Sequence, residues 1–384
     1  MIENSIVIIA GENSGEKYGA NLVHQFKKIY PSINFFGIGG KYMSEEGVRL
    51  LFSIKNLSVV GAFELLSKLS NIKKIFCHVK KEIRLARPIA AVLIDSPDFN
   101  LRLAKFLRKE DIPILYYISP TIWAWRKKRL KIIKKTVTKM MLIFPFEEKI
   151  YKEHCIPAVY IGHPLNERIK ISLSRKEFFK KYSLDIRRKL IAILPGSRQS
   201  EIKYHMPILS EGIKKIQTAY NSQFVLPVAE NLNKSFISEF IPDEMNNIKF
   251  ITKDKFEALY YSNIVLSASG TANLEAALLE TPLISFYRIS PFSYFLGNKF
   301  VKIRNYSIVN ILAGKKIIPE LIQNRFTPEN LFLETKKILD SEKIRLEMTT
   351  SFKEIKSLLG ESAASQNAAR ELQKIINYET VKEG

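Results

Sequence analysis

Short apolar runs alternate with longer amphipathic stretches along the first half of this chain. The apolar runs occupy 6–10, 34–37, 90–94, 112–118, 139–143 and 158–161. Helical periodicity lies between them, as in 17–30 and 101–109. A run that is apolar at every position is typical of a parallel strand covered by helices on both faces. The pattern therefore predicts an α/β domain in the first half.

The second half repeats this rhythm and then changes to helix alone. Strands are predicted at 190–194, 223–227, 248–251, 264–267 and 283–287, with helices at 201–220, 256–262 and 272–279. Strands and helices that alternate at this spacing favour a parallel sheet with right-handed crossovers. The stretch from residue 328 onward is charged and helical, and Thr327 followed by Pro328 is a typical helix start.

Two of the apolar runs end in a turn of small residues that leads into a helix. The first turn is Gly11-Glu12-Asn13-Ser14-Gly15, and the second is Pro195-Gly196-Ser197-Arg198. Such a turn allows backbone N–H groups to approach a ligand at the N-terminus of the next helix. We therefore expect two Rossmann-like domains that face each other across a cleft, with a hinge between residues 162 and 188.

The composition adds a strong positive charge to this picture. The chain has 384 residues and a net charge of +22, which favours an anionic partner such as nucleic acid, a phosphorylated substrate or an anionic membrane. The alternative is a lysine-rich bias spread over solvated faces. No signal peptide and no apolar stretch of about 18 residues is evident, so any contact with a membrane is expected at its cytoplasmic surface.

The two cysteines indicate a reducing compartment. Cys77 and Cys155 have neither a metal-binding spacing nor the pattern of a disulfide framework. We expect both to be small residues of the core.

The second half holds the strongest candidate for an anion site. A strand end at Ser267 is followed by Ser269, Gly270 and Thr271, whose hydroxyls and N–H groups could bind a diphosphate at a helix start. Glu275, one turn later, is spaced to reach a ribose. The alternative is an ordinary capped helix. Arg198 could clamp the same diphosphate or form a surface ion pair with Glu201, and Arg288 is a weaker candidate.

The first half offers carboxylates at a strand end. Asp98 suits a capping role for a helix starting near Phe99, whereas Asp95 has no capping role and is free to act as a general base. A divalent metal bound by both is the alternative. Glu12 and Glu16 flank the first turn, which is a poor setting for a bare diphosphate, so this turn is expected to shape the opposite side of the cleft, near Asp95.

Two basic segments suggest contact with a surface. Apolar residues follow helical spacing through 60–76, with lysines on the other faces, which is typical of a membrane-surface helix or of a helix packed on the sheet. The segment 119–129 places both tryptophans beside four cations. It could bind nucleic acid, contact a membrane, or pack one tryptophan in the core.

Eight short motifs occur in order over nearly the whole chain. They are AGENSGE at 10–16, GIGG at 37–40, DSPDFN at 95–100, SP and WAW within 119–125, GHP at 162–164, LPGSR at 194–198, SGTA with Glu275 at 269–275, and NILAG at 310–314. Together they resemble the lipid-A-disaccharide synthase family of GT-B glycosyltransferases. Glu16 stands where that family usually has Asp.

The resemblance implies a reaction and its substrates. A 2,3-diacylglucosamine unit would pass from its UDP derivative to 2,3-diacylglucosamine 1-phosphate, with inversion, to give a β-1,6-linked disaccharide 1-phosphate and UDP in lipid A biosynthesis. No cofactor, metal or nucleic acid is expected. The enzyme would be cytoplasmic and peripherally attached to the anionic inner face of the inner membrane of a Gram-negative bacterium. Nothing in the sequence indicates an oligomeric state.

The resemblance also assigns residues and domains. Asp95 would be the base, Arg198 and the N–H groups near Gly196 and Gly270 would stabilise the leaving UDP, and the remaining substrate contacts are Glu12, Ser14, Ser197, Ser269, Thr271, Glu275 and Asn310. The expected membrane-facing residues are Phe63, Leu66, Leu69, Lys73 and Trp123. The acceptor domain would comprise 1–165 with 351–384, because the last helix of GT-B folds commonly crosses back, and 166–350 would bind the UDP-sugar.

Two rival functions remain at this stage. One is another two-domain UDP-sugar enzyme, such as a peptidoglycan glycosyltransferase or a UDP-N-acetylglucosamine 2-epimerase. The other is a non-enzymatic nucleic-acid binder, suggested by the net charge of +22, although no recognised nucleic-acid motif is present.

Overall fold

The fold was analysed in a computed structural model. It describes residues 4–54, 65–120, 122, 128–230, 232–242, 248–290, 305–360 and 363–382. The chain divides into two compact units, Met1–Glu167 with Leu359–Gly384 and Arg168–Leu358. We call these the N-terminal unit and the C-terminal unit.

The N-terminal unit is built on a parallel sheet of seven strands in the order β3-β2-β1-β4-β5-β6-β7. The strands are β1 Ser5–Ala10, β2 Asn34–Gly39, β3 Val48–Ser53, β4 Ala90–Ile94, β5 Ile114–Tyr117, β6 Lys139–Leu142 and β7 Ala158–Tyr160. The central strands β1 and β4 are buried at every position because helices cover both faces.

Eight helices belong wholly or largely to this unit in the described ranges. They are α1 Asn13–Ile29, α2 Lys41–Glu45, α3 Leu65–Ala86, α4 Pro97–Leu107, α5 Lys128–Thr136, α6 Glu147–Glu153, α7 Leu165–Arg168 and the C-terminal helix Ala364–Lys382. The C-terminal helix places Ala368, Leu372 and Ile375 in the same apolar core as Val23 and Phe26 of α1. The expectation that the last helix returns to the first domain is therefore confirmed.

The C-terminal unit contains a parallel sheet of six strands in the order β10-β9-β8-β11-β12-β13. The strands are β8 Lys189–Leu194, β9 Ser222–Pro227, β10 Ile248–Ile251, β11 Ile264–Ala268, β12 Leu283–Tyr287 and β13 Glu320–Ile322. Both sheets have the strand order of a doubly wound fold, in which the order reverses between the first strand and the fourth.

The helices that the structure describes in the C-terminal unit are numbered in chain order. They are α8 Arg175–Lys181, α9 Gln199–Ala219, α10 Lys234–Ser238, α11 Lys255–Tyr260, α12 Thr271–Leu278, α13 Ile308–Ala313, α14 Pro328–Asp340 and α15 Glu342–Leu359, so the C-terminal helix Ala364–Lys382 is α16. Thr327 caps α14 as predicted, because its hydroxyl accepts a hydrogen bond from the N–H of Asn330 at 3.1 Å.

The structure corrects the environment expected for the cysteines. Cys77 and Cys155 are both exposed rather than in the core. Cys77 lies on α3, whose inward face is formed by Ile75, Val79 and Ile83, and Cys155 lies in the turn after α6 with a φ of 52°. Within the described part of the chain, no helix is long and apolar enough to cross a membrane.

Candidate active site

The N-terminal unit brings the first turn and the DSPDFN motif together. The turn after β1 and the turn after β4 lie side by side, because these two strands pair directly at the point where the strand order reverses. Gly11 packs so closely that a Cβ atom there would lie 2.2 Å from Oγ of Ser96. Only glycine fits this approach, and the two turns therefore form one surface.

Asp95 stands on a strained turn. Asp95 and Ser96 have φ values of 47° and 43°, which is the left-handed region that non-glycine residues rarely adopt. Each such residue costs on the order of 1–2 kcal/mol. The surrounding structure holds this conformation at the carboxyl edge of the sheet, and strain of this kind is concentrated at functional sites.

The role expected for Asp98 is wrong. α4 begins at Pro97, and the residue before it is Ser96, so Asp98 is already inside the first helical turn. Its carboxylate instead pairs with the guanidinium of Arg129 at 2.8 Å. In the described residues no group of three or more His, Cys, Asp or Glu side chains is arranged to hold a metal ion.

The electrostatics of Asp95 suit a base. The pKa of its carboxyl group is raised from 3.8 to about 6, chiefly by burial and secondly by the negative charge of Glu12. A hydrogen bond from the N–H of Ser96 and the positive charge of Arg129 oppose this rise. The carboxylate is therefore ionised near neutral pH while retaining affinity for a proton.

The first turn carries two carboxylates with different roles. Glu12 lies at the N-cap position of α1 and is exposed, and Ser14 is half-buried in the first helical turn. Glu16 is buried, and its Oε1 accepts a hydrogen bond from the N–H of Met43 at 3.1 Å. Glu16 thus holds the start of α2, while Glu12 adds negative charge beside Asp95.

In the C-terminal unit, the two predicted anion-binding turns follow neighbouring strands. The turn at residues 195–198 follows β8, and the turn at residues 269–271 follows β11, which pairs with β8 at the reversal of the strand order. Arg288 follows β12, the next strand in the sheet. All three lie at the carboxyl edge, where parallel α/β sheets bind ligands.

The N–H groups near Gly196 are already occupied, which differs from expectation. Oε2 of Glu201 accepts hydrogen bonds from the N–H groups of Ser197 at 2.8 Å and Arg198 at 3.2 Å. Gly196 has a φ of 127°, and a Cβ there would lie 2.5 Å from the same oxygen. Glu201 therefore caps α9 internally. The Arg198 guanidinium lies 3.4 Å from Glu201, and its side chain is 62% exposed, so it is accessible to a ligand.

The second turn is open. Gly270 and Thr271 are exposed, and within the described part of the chain no heavy atom beyond the adjacent residues lies within 4 Å of a Cβ built on Gly270. The N–H groups of Gly270, Thr271 and Ala272 have no acceptor among the described residues, as expected at the start of α12. The backbone of Ser269 is fixed by the neighbouring strand β12, since its N–H donates to the carbonyl of Phe286 at 2.8 Å. This turn presents donors that an anion could bind.

Residues 6–375 match the family model for lipid-A-disaccharide synthetase. A lipid-A-disaccharide synthase of Solibacter usitatus is 37% identical over 374 residues, which cover 97% of both chains. Another, from Coxiella burnetii, is 36% identical over 377 residues that cover 98% of this chain and 100% of the relative. This chain belongs to the lipid-A-disaccharide synthase family.

Solved structures show the fold expected for a glycosyltransferase of this family. UDP-GlcNAc 2-epimerase from Neisseria meningitidis, bound to UDP-GlcNAc, superposes with a TM-score of 0.66 at 13% identity, covering 99% of this chain and 100% of that one. MurG from Acinetobacter baumannii gives 0.55 at 11% identity, covering 97% and 99%. The predicted α/β class with two Rossmann-like domains of the GT-B type is confirmed.

Glu275 and Asn310, which the synthase motifs suggested as substrate contacts, are both engaged within the protein. Glu275 is buried and forms an ion pair with Lys255 of α11. Asn310 is also buried: its amide donates to the carbonyl of Ile318 and to Glu320, and its oxygen accepts from the N–H groups of Ile317 and Ile318. Asn310 thus links α13 to the start of β13.

The structure describes only some of the predicted membrane-facing residues of this synthase-family chain. Phe63 and Trp123 lie outside the described residues, and so do the side chains of Leu66 and Leu69, whose backbone belongs to α3. Lys73 is exposed on α3, opposite the buried face of this helix.

Sequence reasoning missed His205, which links two strand ends in the synthase fold. Its Nδ1 lies 2.6 Å from the carbonyl oxygen of Pro195, and its Nε2 accepts a hydrogen bond from the N–H of Arg288 at 2.9 Å. Burial lowers the pKa of this histidine, so the neutral form that makes both contacts is favoured. No spacing in the sequence indicates a contact between residues 83 positions apart.

Proposed function

We propose that this chain joins UDP-2,3-diacylglucosamine to 2,3-diacylglucosamine 1-phosphate. The products are the β-1,6-linked disaccharide 1-phosphate and UDP. The observation that carries this proposal is Asp95, a carboxylate with a pKa raised to about 6 on a strained turn at the strand-order reversal of the N-terminal unit. Family membership supports these substrates, and Asp95 is a group suited to the proton transfer that their reaction requires.

The acceptor's 6-hydroxyl is a weak nucleophile and needs a base. Asp95 takes its proton as the bond between that oxygen and the anomeric carbon of the donor forms. In the same step the bond from the anomeric carbon to the diphosphate oxygen breaks, and UDP leaves with the bonding electrons. A single in-line displacement converts an α-linked donor into a β-linked product, as in other inverting sugar transfers.

The C-terminal unit is proposed to bind the UDP moiety. Two solved structures with the same fold, UDP-GlcNAc 2-epimerase of Neisseria meningitidis and MnaA of S. aureus, hold UDP-GlcNAc and UDP respectively. The N–H groups of Gly270, Thr271 and Ala272 and the Arg198 guanidinium could stabilise the charge that grows on the diphosphate. Ser269 and Thr271 would add hydroxyl contacts. Glu275 would accept a hydrogen bond from the ribose in addition to its ion pair with Lys255.

The Glu12, Ser14 and Asp95 surface is proposed to receive the acceptor sugar. The carboxylate of Glu12 favours hydroxyl donors over a diphosphate at this turn, because like charges repel there. The acyl chains of both substrates would stay partly in the membrane, where each buried CH₂ contributes about 0.8 kcal/mol. This arrangement would place the enzyme at a membrane surface, which we propose is the cytoplasmic face of an anionic inner membrane.

The decisive experiment is to identify the product. Purified protein is incubated with both acylated substrates, and the product is examined by mass spectrometry and by NMR of the new anomeric proton. We expect a β-linked disaccharide 1-phosphate and one UDP per linkage, with no product from UDP-GlcNAc alone. Conversion of UDP-GlcNAc to a 2-epimer, or a disaccharide with retained α configuration, would contradict the proposal.

A further inference from the structure

The carbonyl group of Asp95 is held by two buried side chains from different elements. The Tyr116 hydroxyl of β5 donates to this oxygen at 2.6 Å, and the Asn100 amide of α4 donates to it at 2.8 Å. Asn100 also donates to the carbonyl of Ile94 at 3.1 Å. Both side chains are fully buried. Hydrogen bonds of this kind fix the orientation of the peptide plane that joins Asp95 to Ser96.

That peptide plane determines where the carboxylate of Asp95 points. Two consecutive left-handed residues are unfavourable for Asp and Ser, so local sequence does not hold this turn in place. The carbonyl of Ser96 accepts the first helical N–H groups, from Phe99 at 3.2 Å and Asn100 at 2.9 Å. The turn is therefore fixed on one side by α4 and on the other by the Tyr116 hydroxyl.

We infer that Tyr116 is a positioning residue that holds the general base Asp95 in its reactive orientation through the Asp95 carbonyl group. This inference rests on the proposed function of Asp95. Tyr116 touches the backbone of Asp95, not the substrate, so its loss should change the rate of the chemical step and leave substrate binding largely unaffected. Misplacement of a reacting group by about 1 Å costs on the order of 100-fold in rate.

The acid limb of the pH profile gives a readout that a purely structural role would not move. The N–H of Ser96 lowers the pKa of the Asp95 carboxyl group by hydrogen bonding, and both residues lie in the left-handed turn. Relaxation of the turn removes that donor. The other influences on the pKa of Asp95, which are burial and the charges of Glu12 and Arg129, remain, and Arg129 stays paired with Asp98. The pKa of Asp95 should then rise, and the acid limb should move to higher pH.

The chain offers a matched control in the next residue. Tyr117 lies on the same strand, is equally buried and faces the opposite core of the sheet. Its hydroxyl has no hydrogen-bond partner among the described residues. Tyr116→Phe and Tyr117→Phe therefore remove the same atom from the same kind of site, but only the first removes a hydrogen bond to Asp95.

The experiment compares these two variants with wild type and with Asp95→Asn. Disaccharide formation is followed from pH 5 to 9, UDP affinity is measured by calorimetry, and thermal unfolding reports the fold. For Tyr116→Phe we expect kcat to fall about 10- to 100-fold, KM and UDP affinity to stay within about twofold, and the acid limb to move upward. Tyr117→Phe should match wild type in all of these.

Asn100→Asp is a second variant that keeps the volume but turns a donor into an acceptor. It should lower kcat at least as much as Tyr116→Phe, because a carboxylate would face two carbonyl oxygens. Equal behaviour of Tyr116→Phe and Tyr117→Phe, with Asp95→Asn inactive, would overturn the positioning role and leave the base in place. An active Asp95→Asn variant would overturn the base itself, and the positioning role with it.

Discussion

At the scale of single residues, the raised pKa of Asp95 would favour its proposed role as a base and disfavours the folded state. Burial and the charge of Glu12 together raise its pKa from 3.8 to about 6 against the opposing effects of Ser96 and Arg129, which suits a base but disfavours the charged form in the folded state. Between these two values the folded chain binds more protons than the unfolded chain. The contribution of Asp95 to stability therefore falls as the pH rises through this window.

Asp95→Asn should abolish disaccharide formation and stabilise the fold. A pKa change from 3.8 to about 6 corresponds to about 3 kcal/mol, of which partial solvation leaves about 2 kcal/mol to be gained at pH 8. Asn also adopts the left-handed region readily. Urea unfolding at pH 8 and at pH 3.5 measures the gain, which should vanish at the lower pH.

Wild-type activity should itself rise as the pH increases through about 6, since the base must be ionised. Turnover of Asp95→Asn above about 10% of wild type, or lower stability than wild type at pH 8, would contradict this account of the residue.

The sequence pointed to Asp95 because a carboxylate directly after a buried strand has few structural roles. It did not point to Tyr116 or His205, whose contacts join distant parts of the chain. It also assigned free N–H groups to the turn at Gly196, where Glu201 folds back and occupies them. Long-range contacts and carboxylates that cap their own helix are not visible in the spacing of residue types.

At the scale of elements, hydrophobic patterning predicted the strands that have a continuous apolar run, including the edge strands β7 and β10, and missed two other edge strands. β4, β10 and β12 begin and end where the apolar runs do. β3 and β13 were missed: Arg49 interrupts β3, and β13 has only three residues. Both lie at an edge of their sheet, where a strand has a neighbouring strand on one side only and its side chains need not all be apolar. Their pairing partner, rather than their own pattern, makes them strands.

Helix α3 gives a prediction at this scale. It buries Ile75, Val79 and Ile83 against the sheet and exposes Lys73 and Lys74. Each lysine near an anionic membrane contributes about 1 kcal/mol, so reversal of both charges should weaken binding to phosphatidylglycerol vesicles at least tenfold. Vesicle sedimentation at about 0.1 M salt checks this, since exposed charges are screened at higher salt.

The control for the α3 lysines keeps the same change in net charge. Lys176→Glu with Lys180→Glu reverses two exposed lysines of α8 in the C-terminal unit. If both pairs of substitutions weaken vesicle binding equally, net charge explains the attraction and α3 has no special role.

At the scale of the whole molecule, the two units share one strand order and differ in the charges at its reversal. The N-terminal unit places Glu12 and Asp95 there, whereas the C-terminal unit places Arg198 and the open turn at Gly270. A net charge of +22 is therefore not spread evenly over equivalent positions. Under the proposed function, the N-terminal unit would hold the base and the C-terminal unit would bind the anion.

This division predicts separate effects of two substitutions. Arg198→Ala should weaken UDP binding about tenfold, because an exposed guanidinium is lost from the diphosphate, while Asp95→Asn should leave UDP affinity unchanged. The fold should be unaffected by Arg198→Ala, since its pairing with Glu201 is at the surface and such pairs contribute about 0–1 kcal/mol.

Calorimetric titration with UDP measures both variants, and Arg187→Ala is the matched control. Arg187 is exposed and paired with Asp185, like Arg198 with Glu201, but it precedes β8 and so belongs to the amino edge of the same sheet. Arg187→Ala should bind UDP as wild type does. Equal weakening by both arginine substitutions would attribute UDP binding to net charge, and weakening by Asp95→Asn would contradict the separation of roles between the two units.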